Sequence, residues 1–475
     1  MNGKRLKVGY VAIIQLNFRG NKQAVYDRTV LDLPPLAQKN GFDLVLYPEL
    51  VVTEAQARDV NDFMKREAVD LLLVQSASFA SGYLIQTLAK AAPAIALWAV
   101  EEESQAGYLP QNSFCAMNLN GSIMREYMSR DNKYKWLFGP VDSPLFQERL
   151  MVTVQALGAI KAAQGSVILH IGGTANGFSN FYYDERKLLT RLGVRVTEVE
   201  YGDLKAKAEG YDEKTLQPLM DEIAAATPCL SQLAKEKLLP HARVYRAIRD
   251  MMDETGAAAT AMSCWPRFRV DWGFTPCATF GLLNQNGYII SCEGDVLSAV
   301  SMLLLREISG GEPILMDLVA FDQQDDTMQL WHCGVGSKTF AKGGCVTLDT
   351  HYNPGPYRPE TGWASAGPVA VMEFEKAPLT CMRLTRDCDS MLTFSGSIVD
   401  KSPVYHGSGG WLGKMTMDET PIKALDMVNT IMAYGFQHHY PLVHGSYEDA
   451  CRELAAWLEI APLEKVPYKK YMQMK

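Results

Sequence analysis

The sequence predicts an α/β protein. Two open parallel-sheet αβα domains are followed by a C-terminal antiparallel β-barrel-like domain with helices. Three observations lead there. Over the first 165 residues, short apolar runs alternate with helical stretches, and each run ends in polar residues. A second αβ alternation begins at Ser166. From Ile314 onward the texture changes to short strands rich in Gly and Pro, with turn signals such as NPGP at 353–356. Boundaries follow at 1–165, 166–309 and 310–475, in keeping with a chain of 475 residues, too long for one simple core.

In order, strands are expected at 8–14, 43–47, 70–75 and 94–99. Their polar exits are Gln15 and Asn17, Glu49, Gln75 and Ser76, and Glu101 to Glu103, with a further cluster at Gln111-Asn112-Ser113. An open parallel sheet collects ligand-binding groups at such strand ends. A helix over 145–163 ends at Gly165, and the strand SVILHI (166–171) leads into GGTANGF. That turn matches neither phosphate-loop pattern and reads as a tight strand exit. GSGGWLGKM at 407–415 lacks the Walker register and the Ser/Thr after Lys414. A strand at 194–200 precedes two charged amphipathic helices reaching about Thr255, and the chain closes with helices over 420–434 and 447–458.

The unit at 288–321 organises the rest. An apolar run ends in Glu293, and Asp295 then N-caps a helix whose Val296, Ala299, Val300, Leu303 and Leu304 fall at helical spacing. Gly310 and Gly311 stop this helix, Pro313 keeps it from restarting, and ILMDLVAF follows as a strand expected to be buried on both faces. Asp317 is a charge in that apolar strand, and such a charge is costly unless it is compensated. The helix climbs roughly 20 Å at about 1.5 Å per residue. The returning strand recovers about 16 Å at roughly 3.3 Å per residue, which lets Glu293 and Asp317 face each other. Two such carboxylates share a proton, share a metal ion, or pair separately with Arg or Lys.

A hydrophobic content of 47% describes an ordinary globular protein. A net charge of -8 and the lack of a basic run argue against nucleic acid. No apolar stretch approaches the ~18 residues of a membrane span. The start, MNGKRLKVGYVAII, reads as a first strand and not as a signal peptide. Ten cysteines are scattered singly without a C-x2-C pair, which fits a reducing, cytoplasmic setting. Three of the eight histidines, His438, His439 and His444, fall within seven residues. With two carboxylates, an imidazole suits Mn2+, Fe2+ or Co2+; alone, a His pair at a helix exit caps the last carbonyls.

Several stretches together resemble the L-fucose isomerase and L-arabinose isomerase family. They are CEGD at 292–295 with its apolar helix and Ser-Gly-Gly, Asp317 in ILMDL 24 positions after Glu293, and the H-H-x-x-L-x-x-G motif from His438. CWPRF (264–268), GFSNFYYDE (177–185), QNSFCAMN (111–118) and the first strand leading into Gln15 add support in the family's order. The resemblance implies a Mn2+-dependent aldose–ketose isomerase working through an ene-diolate, with Co2+, Mg2+ or Fe2+ able to stand in for Mn2+. It implies that Glu293, Asp317 and His439 hold the metal, and that Glu293 and Asp317 also move the proton. Gln15, Asn17, Arg19, Asn112, Trp265, His332 and His438 are the expected sugar contacts, and His332 also matches a metal-site His of the arabinose branch. A homo-oligomer, trimer or hexamer, with the site near a subunit interface is implied as well. QLNFRGN departs from the family pattern at Arg19, whose guanidinium would favour a carboxylate, sulfonate or phosphate on the sugar, against the plainer reading of a surface Arg. The readings to be separated from this one are another Mn2+-dependent carbohydrate lyase or hydrolase and a non-catalytic sugar-binding protein.

Overall fold

The computed structural model describes residues 5–128, 133–227, 229–230, 232–351 and 368–475. The NPGP turn signal at 353–356 lies outside them. The chain divides into two compact units, Met1–Lys161 and Ala162–Lys475.

Unit 1 holds a five-stranded sheet. Its order is Asp43–Val51, Lys7–Ile13, Leu71–Ser76, Ala94–Ala99, Tyr134–Phe138, and every pairing is parallel. Four of these strands are the expected ones. Tyr134–Phe138 (YKWLF) was not foreseen, because Lys135 breaks its apolar run and its burial is partial. Leu71–Ser76 and Ala94–Ala99 are buried throughout, as strands covered on both faces must be. The chain leaves Lys7–Ile13 to either side, to the second strand on one and the third on the other. The crevice beyond the carboxyl ends of the first and third strands is therefore the topological switch point. Gln15 sits there, its N–H donating to Ser78 Oγ at 2.9 Å across the two strand exits.

Unit 2 holds a parallel sheet in the order Ile289–Ser291, Ala259–Met262, Val167–Ile171, Arg195–Val199, and a larger mixed sheet of 11 strands. The helix Val296–Ser309 links them. Asp295 caps its N-terminus by accepting the Ser298 N–H at 3.0 Å, and Gly310 ends it at φ 66. All but three of its residues are buried, and it packs on Ala259–Met262, Pro378–Leu384 and His439–His444.

Ile314–Asp322 then runs antiparallel between His439–His444 and Thr327–His332, with Asp317 opposite both His439 and Trp331. Only its first half is buried. Beyond Asp317 it bulges against Thr327–His332, and Val319 and Phe321 are about two-fifths exposed, at 40% and 42%. Apolar composition alone could not show that this end reaches solvent. The last expected helices are Ala424–Tyr434 and Glu448–Leu458; Thr420–Pro421 pairs with Ser408–Met417 instead of starting the first of them. After Arg195–Val199 come Tyr201–Glu209, Glu213–Ala226, Gln232–Glu236 and Leu238–Thr255, more pieces than the two expected helices.

The GGTANGF turn closes on the CEGD segment: Ala175 N–H donates to Glu293 O at 3.0 Å. Glu293 itself has φ 59 and Gly294 φ 71, two consecutive left-handed residues. A Cβ on Gly294 would lie 2.2 Å from Gly173 O. Gly294→Ala is expected to destabilise the chain by at least about 1–3 kcal/mol. Urea unfolding of the variant checks this, and an unchanged midpoint would refute the packing argument.

Candidate active site

Glu293, Asp317 and His439 converge within unit 2. The ring of His439 is fully buried. On one side its Nδ1 lies 2.9 Å from Asp295 Oδ2. On the other side its Nε2 lies 3.4 Å from Glu293 Oε2 and 3.9 Å from Asp317 Oδ1. Glu293 Oε2 and Asp317 Oδ1 are both buried and have no hydrogen-bond partner in the described structure. Phe181 stacks on the His439 ring at 4.4 Å between centroids.

Asp295 has no exposed surface, and neither has its partner Arg383. Arg383 Nη1 donates to Oδ2 at 2.7 Å, Nη2 donates to Oδ1 at 3.2 Å, and Nη1 also reaches Ser298 Oγ. Burial works against the charge on Asp295, but Arg383 and His439 outweigh it and hold its carboxyl well below the usual range. Burial likewise opposes the charge on Glu293, which His438 and His439 nevertheless pull down to about 2. For His439 burial disfavours protonation, yet Asp295 and Glu293 push the ring up to about 9. With Asp295 facing Nδ1, it is Nε2 that faces the two carboxylates, and a ring pushed up to about 9 must give up its Nε2 proton before that nitrogen can serve a cation. A carboxylate-oriented histidine of this kind is how metal-binding imidazoles are commonly fixed. Two orphaned carboxylate oxygens beside one imidazole nitrogen are donors of the kind Mn2+ and its neighbours prefer, and the ligand atoms of Glu293, His438 and His439 lie within 4.8 Å of one another, a group that does not include Asp317.

Three more of the expected residues surround this centre. His438 is half-exposed, with Nε2 3.6 Å from Glu293 Oε2, and its Nδ1 accepts from Asn180 Nδ2 at 3.3 Å. His332 is buried, with Nε2 3.1 Å from Cys292 Sγ, and burial lowers its pKa. Trp265 follows Ala259–Met262, next to Cys264, whose Sγ accepts the Glu293 N–H at 3.4 Å. The other four lie in unit 1. Gln15 is half-buried and Asn17 exposed. The exposed Arg19 guanidinium lies 4.0 Å over the ring of Tyr108, and Asn112 begins the helix Ser113–Tyr127 at φ 57. Gly20 N–H donates to Pro110 O at 2.9 Å and Phe79 N–H to Gln111 O at 2.7 Å. These bonds bring the loops that carry Arg19 and Asn112 together within unit 1.

Sequence reasoning took Asp295 only as a helix cap and passed over Arg383, Cys292 and Phe181. The signal for Arg383 was present: it is the one charge in the apolar strand PLTCMRL, as Asp317 is in ILMDL.

No family model matches the chain. Curated relatives do, along most of its length. Sulfoquinovose isomerase of Priestia megaterium (strain ATCC 12872 / QMB1551) is 26% identical over 433 residues, 89% of this chain and 92% of that one. The protein of the same name from Alkalicoccus urumqiensis is 27% identical over 405 residues, covering 83% and 86%. That from Clostridium sp. (strain MSTE9) is 24% identical over 416 residues, covering 86% and 89%. On this likeness the chain is an enzyme, of the isomerase class. A periplasmic solute-binding protein from Actinobacillus succinogenes 130z with bound D-allose covers 64% of this chain at 12% identity, but its TM-score of 0.17 carries no argument.

Arg383→Met would take the guanidinium from buried Asp295 and leave it only Ser298 and His439 as partners, at an expected cost of about 3–5 kcal/mol in urea unfolding. Adding Asp295→Leu should recover part of that loss. Were the single variant as stable as the parent, the pair would not carry the weight assigned to it.

Proposed function

We propose that the protein is a Mn2+-dependent aldose–ketose isomerase acting on a sugar with an anionic substituent, with sulfoquinovose the first substrate to test. One observation carries the reading: two buried carboxylate oxygens without hydrogen-bond partners flank the Nε2 of a histidine whose Nδ1 is tied to Asp295. The name shared by the relatives supports the reaction class and the charged sugar.

Glu293, Asp317 and His439 would hold the cation, with Co2+, Mg2+ or Fe2+ able to replace Mn2+. A divalent cation held there would supply Lewis acidity that stabilises the negative charge developing on the sugar during the reaction. The chain's own groups move the protons. One of the two carboxylates takes the proton from C2 of the aldose and returns it to C1, while the O2 proton is lost and O1 gains one, so that atoms and charge balance. Phe181 over His439 and the buried strands behind it keep water from the imidazole, which strengthens its electrostatic interaction with the carboxylates.

In the same reading, Gln15, Asn17, Arg19 and Asn112 contact the sugar of a neighbouring copy in a cytoplasmic homo-oligomer, a trimer or hexamer. Arg19 takes the anionic substituent. The reading also treats the C-terminal strands as a barrel, because Ser390–Val399 pairs with both Pro378–Leu384 and Ser408–Met417. Those pairings, with His439–His444, Ile314–Asp322 and Thr327–His332 between them, close a ring of six strands.

Incubation with Mn2+ and a panel of neutral and anionic aldoses in deuterated water tests the chemistry. Deuterium at C1 or C2 of a sulfonated aldose is the expected result. Binding without exchange would instead mark a sugar-binding protein, and cleavage a lyase or hydrolase. Glu293→Gln and Asp317→Asn should each abolish turnover while circular dichroism shows the fold intact; near-normal kcat in either, with metal bound, would sink the assignment. Arg19→Gln should raise KM for the anionic sugar about tenfold or more, the worth of a charge-assisted hydrogen bond, and spare a neutral one.

A further inference from the structure

The two buried histidines of the site meet opposite kinds of partner at Nδ1. His439 donates its Nδ1–H to the Asp295 carboxylate at 2.9 Å. At His332 the roles reverse. The backbone N–H of Cys333 lies 2.8 Å from its Nδ1. An amide N–H can only donate, so Nδ1 accepts and the neutral ring carries its proton on Nε2. That Nε2 is 3.1 Å from Cys292 Sγ, and the same sulfur is 3.8 Å from His439 Nε2. The ring centroids of the two histidines are 5.8 Å apart.

We propose that His332 is not a metal ligand but a fixed Nε2–H donor to a sugar oxygen held beside His439, a role that rests on the isomerase reading above. A nitrogen carrying a proton has no lone pair for a cation. Freeing Nε2 would put a proton on Nδ1, directly against the Cys333 N–H. The sulfur that Nε2–H now faces is a weak acceptor, so a hydroxyl or carbonyl oxygen of the sugar is the better partner. A prealigned donor of this kind counts most where negative charge grows on that oxygen. The resemblance to sugar isomerases left His332 open as sugar contact or metal-site residue; the backbone N–H of Cys333 favours the first. Cys292, His332 and His439 do bring ligand atoms within 4.8 Å of one another, so ligation through His332 is the competing outcome.

Nitrogen-15 NMR of the full chain labelled at histidine reads the tautomer directly, without metal and with Mg2+. The expected spectrum has His332 protonated at Nε2 in both states; a proton at Nδ1 would overturn the proposal. Titration with Mn2+ followed by EPR supplies the second readout. His332→Gln should bind Mn2+ within about twofold of the parent, while His439→Gln binds about 10–100-fold more weakly. In steady-state kinetics, His332→Gln should lose about 10²–10³ in kcat with little change in KM. A loss of Mn2+ affinity in His332→Gln equal to that in His439→Gln would make His332 a ligand. If the parent chain took up no Mn2+, the metal reading would fall by itself, and the tautomer spectrum would still decide for or against His332 as a donor.

Discussion

The buried pair of Asp295 and Arg383 is the constraint on which the rest of unit 2 depends. Neither side chain has any exposed surface, and a charge so placed is tolerated only when hydrogen bonds saturate it. Asp295 is saturated from three directions: by the N-terminus of Val296–Ser309, by the guanidinium of Arg383, and by Nδ1 of His439. The helix start, the strand Pro378–Leu384 and the strand His439–His444 thus meet on two carboxylate oxygens. No one of them can shift without leaving a buried charge short of a partner. The same bonds settle which nitrogen of His439 faces Glu293 and Asp317, so the packing problem and the site's chemistry have one solution.

Glu293 is held by a different device. It adopts φ 59, a conformation that costs an ordinary residue energy, and the following Gly294 at φ 71 allows Gly173 O to come close. From this left-handed pair the Glu293 carboxylate reaches the imidazoles, its Oε2 lying 3.4 Å from His439 Nε2 and 3.6 Å from His438 Nε2. The bond from Ala175 N–H to Glu293 O ties the GGTANGF turn to this position, and Gly172, Gly173 and Gly177 all adopt positive φ there, so the turn is glycine-rich without being a phosphate loop.

Local features of this arrangement were legible in the sequence. The cap at Asp295, the stop at Gly310 and the unexplained charge of Asp317 are all written within a few residues of where they act, and the αβ alternation of the first sheet follows from strand length and polar exits. What was not legible depends on pairing between distant segments. Arg383 stands 88 positions from Asp295, and nothing in PLTCMRL says which acid it meets until Pro378–Leu384 is laid beside the helix. The solvent-facing end of Ile314–Asp322 and the fifth strand of unit 1 escaped notice because composition reports apolarity and not the register that buries it. His332 could be identified as a candidate from its neighbours, but its tautomer depends on a backbone N–H that only coordinates reveal.

Charge supports the proposed divalent cation in one more way. Asp295, Glu293 and Asp317 contribute three negative charges, against which Arg383 sets one positive charge. Two negative charges therefore remain around a ring with no exposed surface. Protonating His439, which its carboxylates favour strongly enough to push the ring up to about 9, cancels one of them. It also removes the Nε2 lone pair and leaves the second charge in place. A dipositive ion bound by Glu293, Asp317 and neutral His439 cancels both and gives the orphaned oxygens the partner that their burial demands. A monovalent ion would leave the same residual charge as the proton does. Charge and burial are thus what supports the proposed divalent cation, and the two carboxylates are what points the proposal to Mn2+.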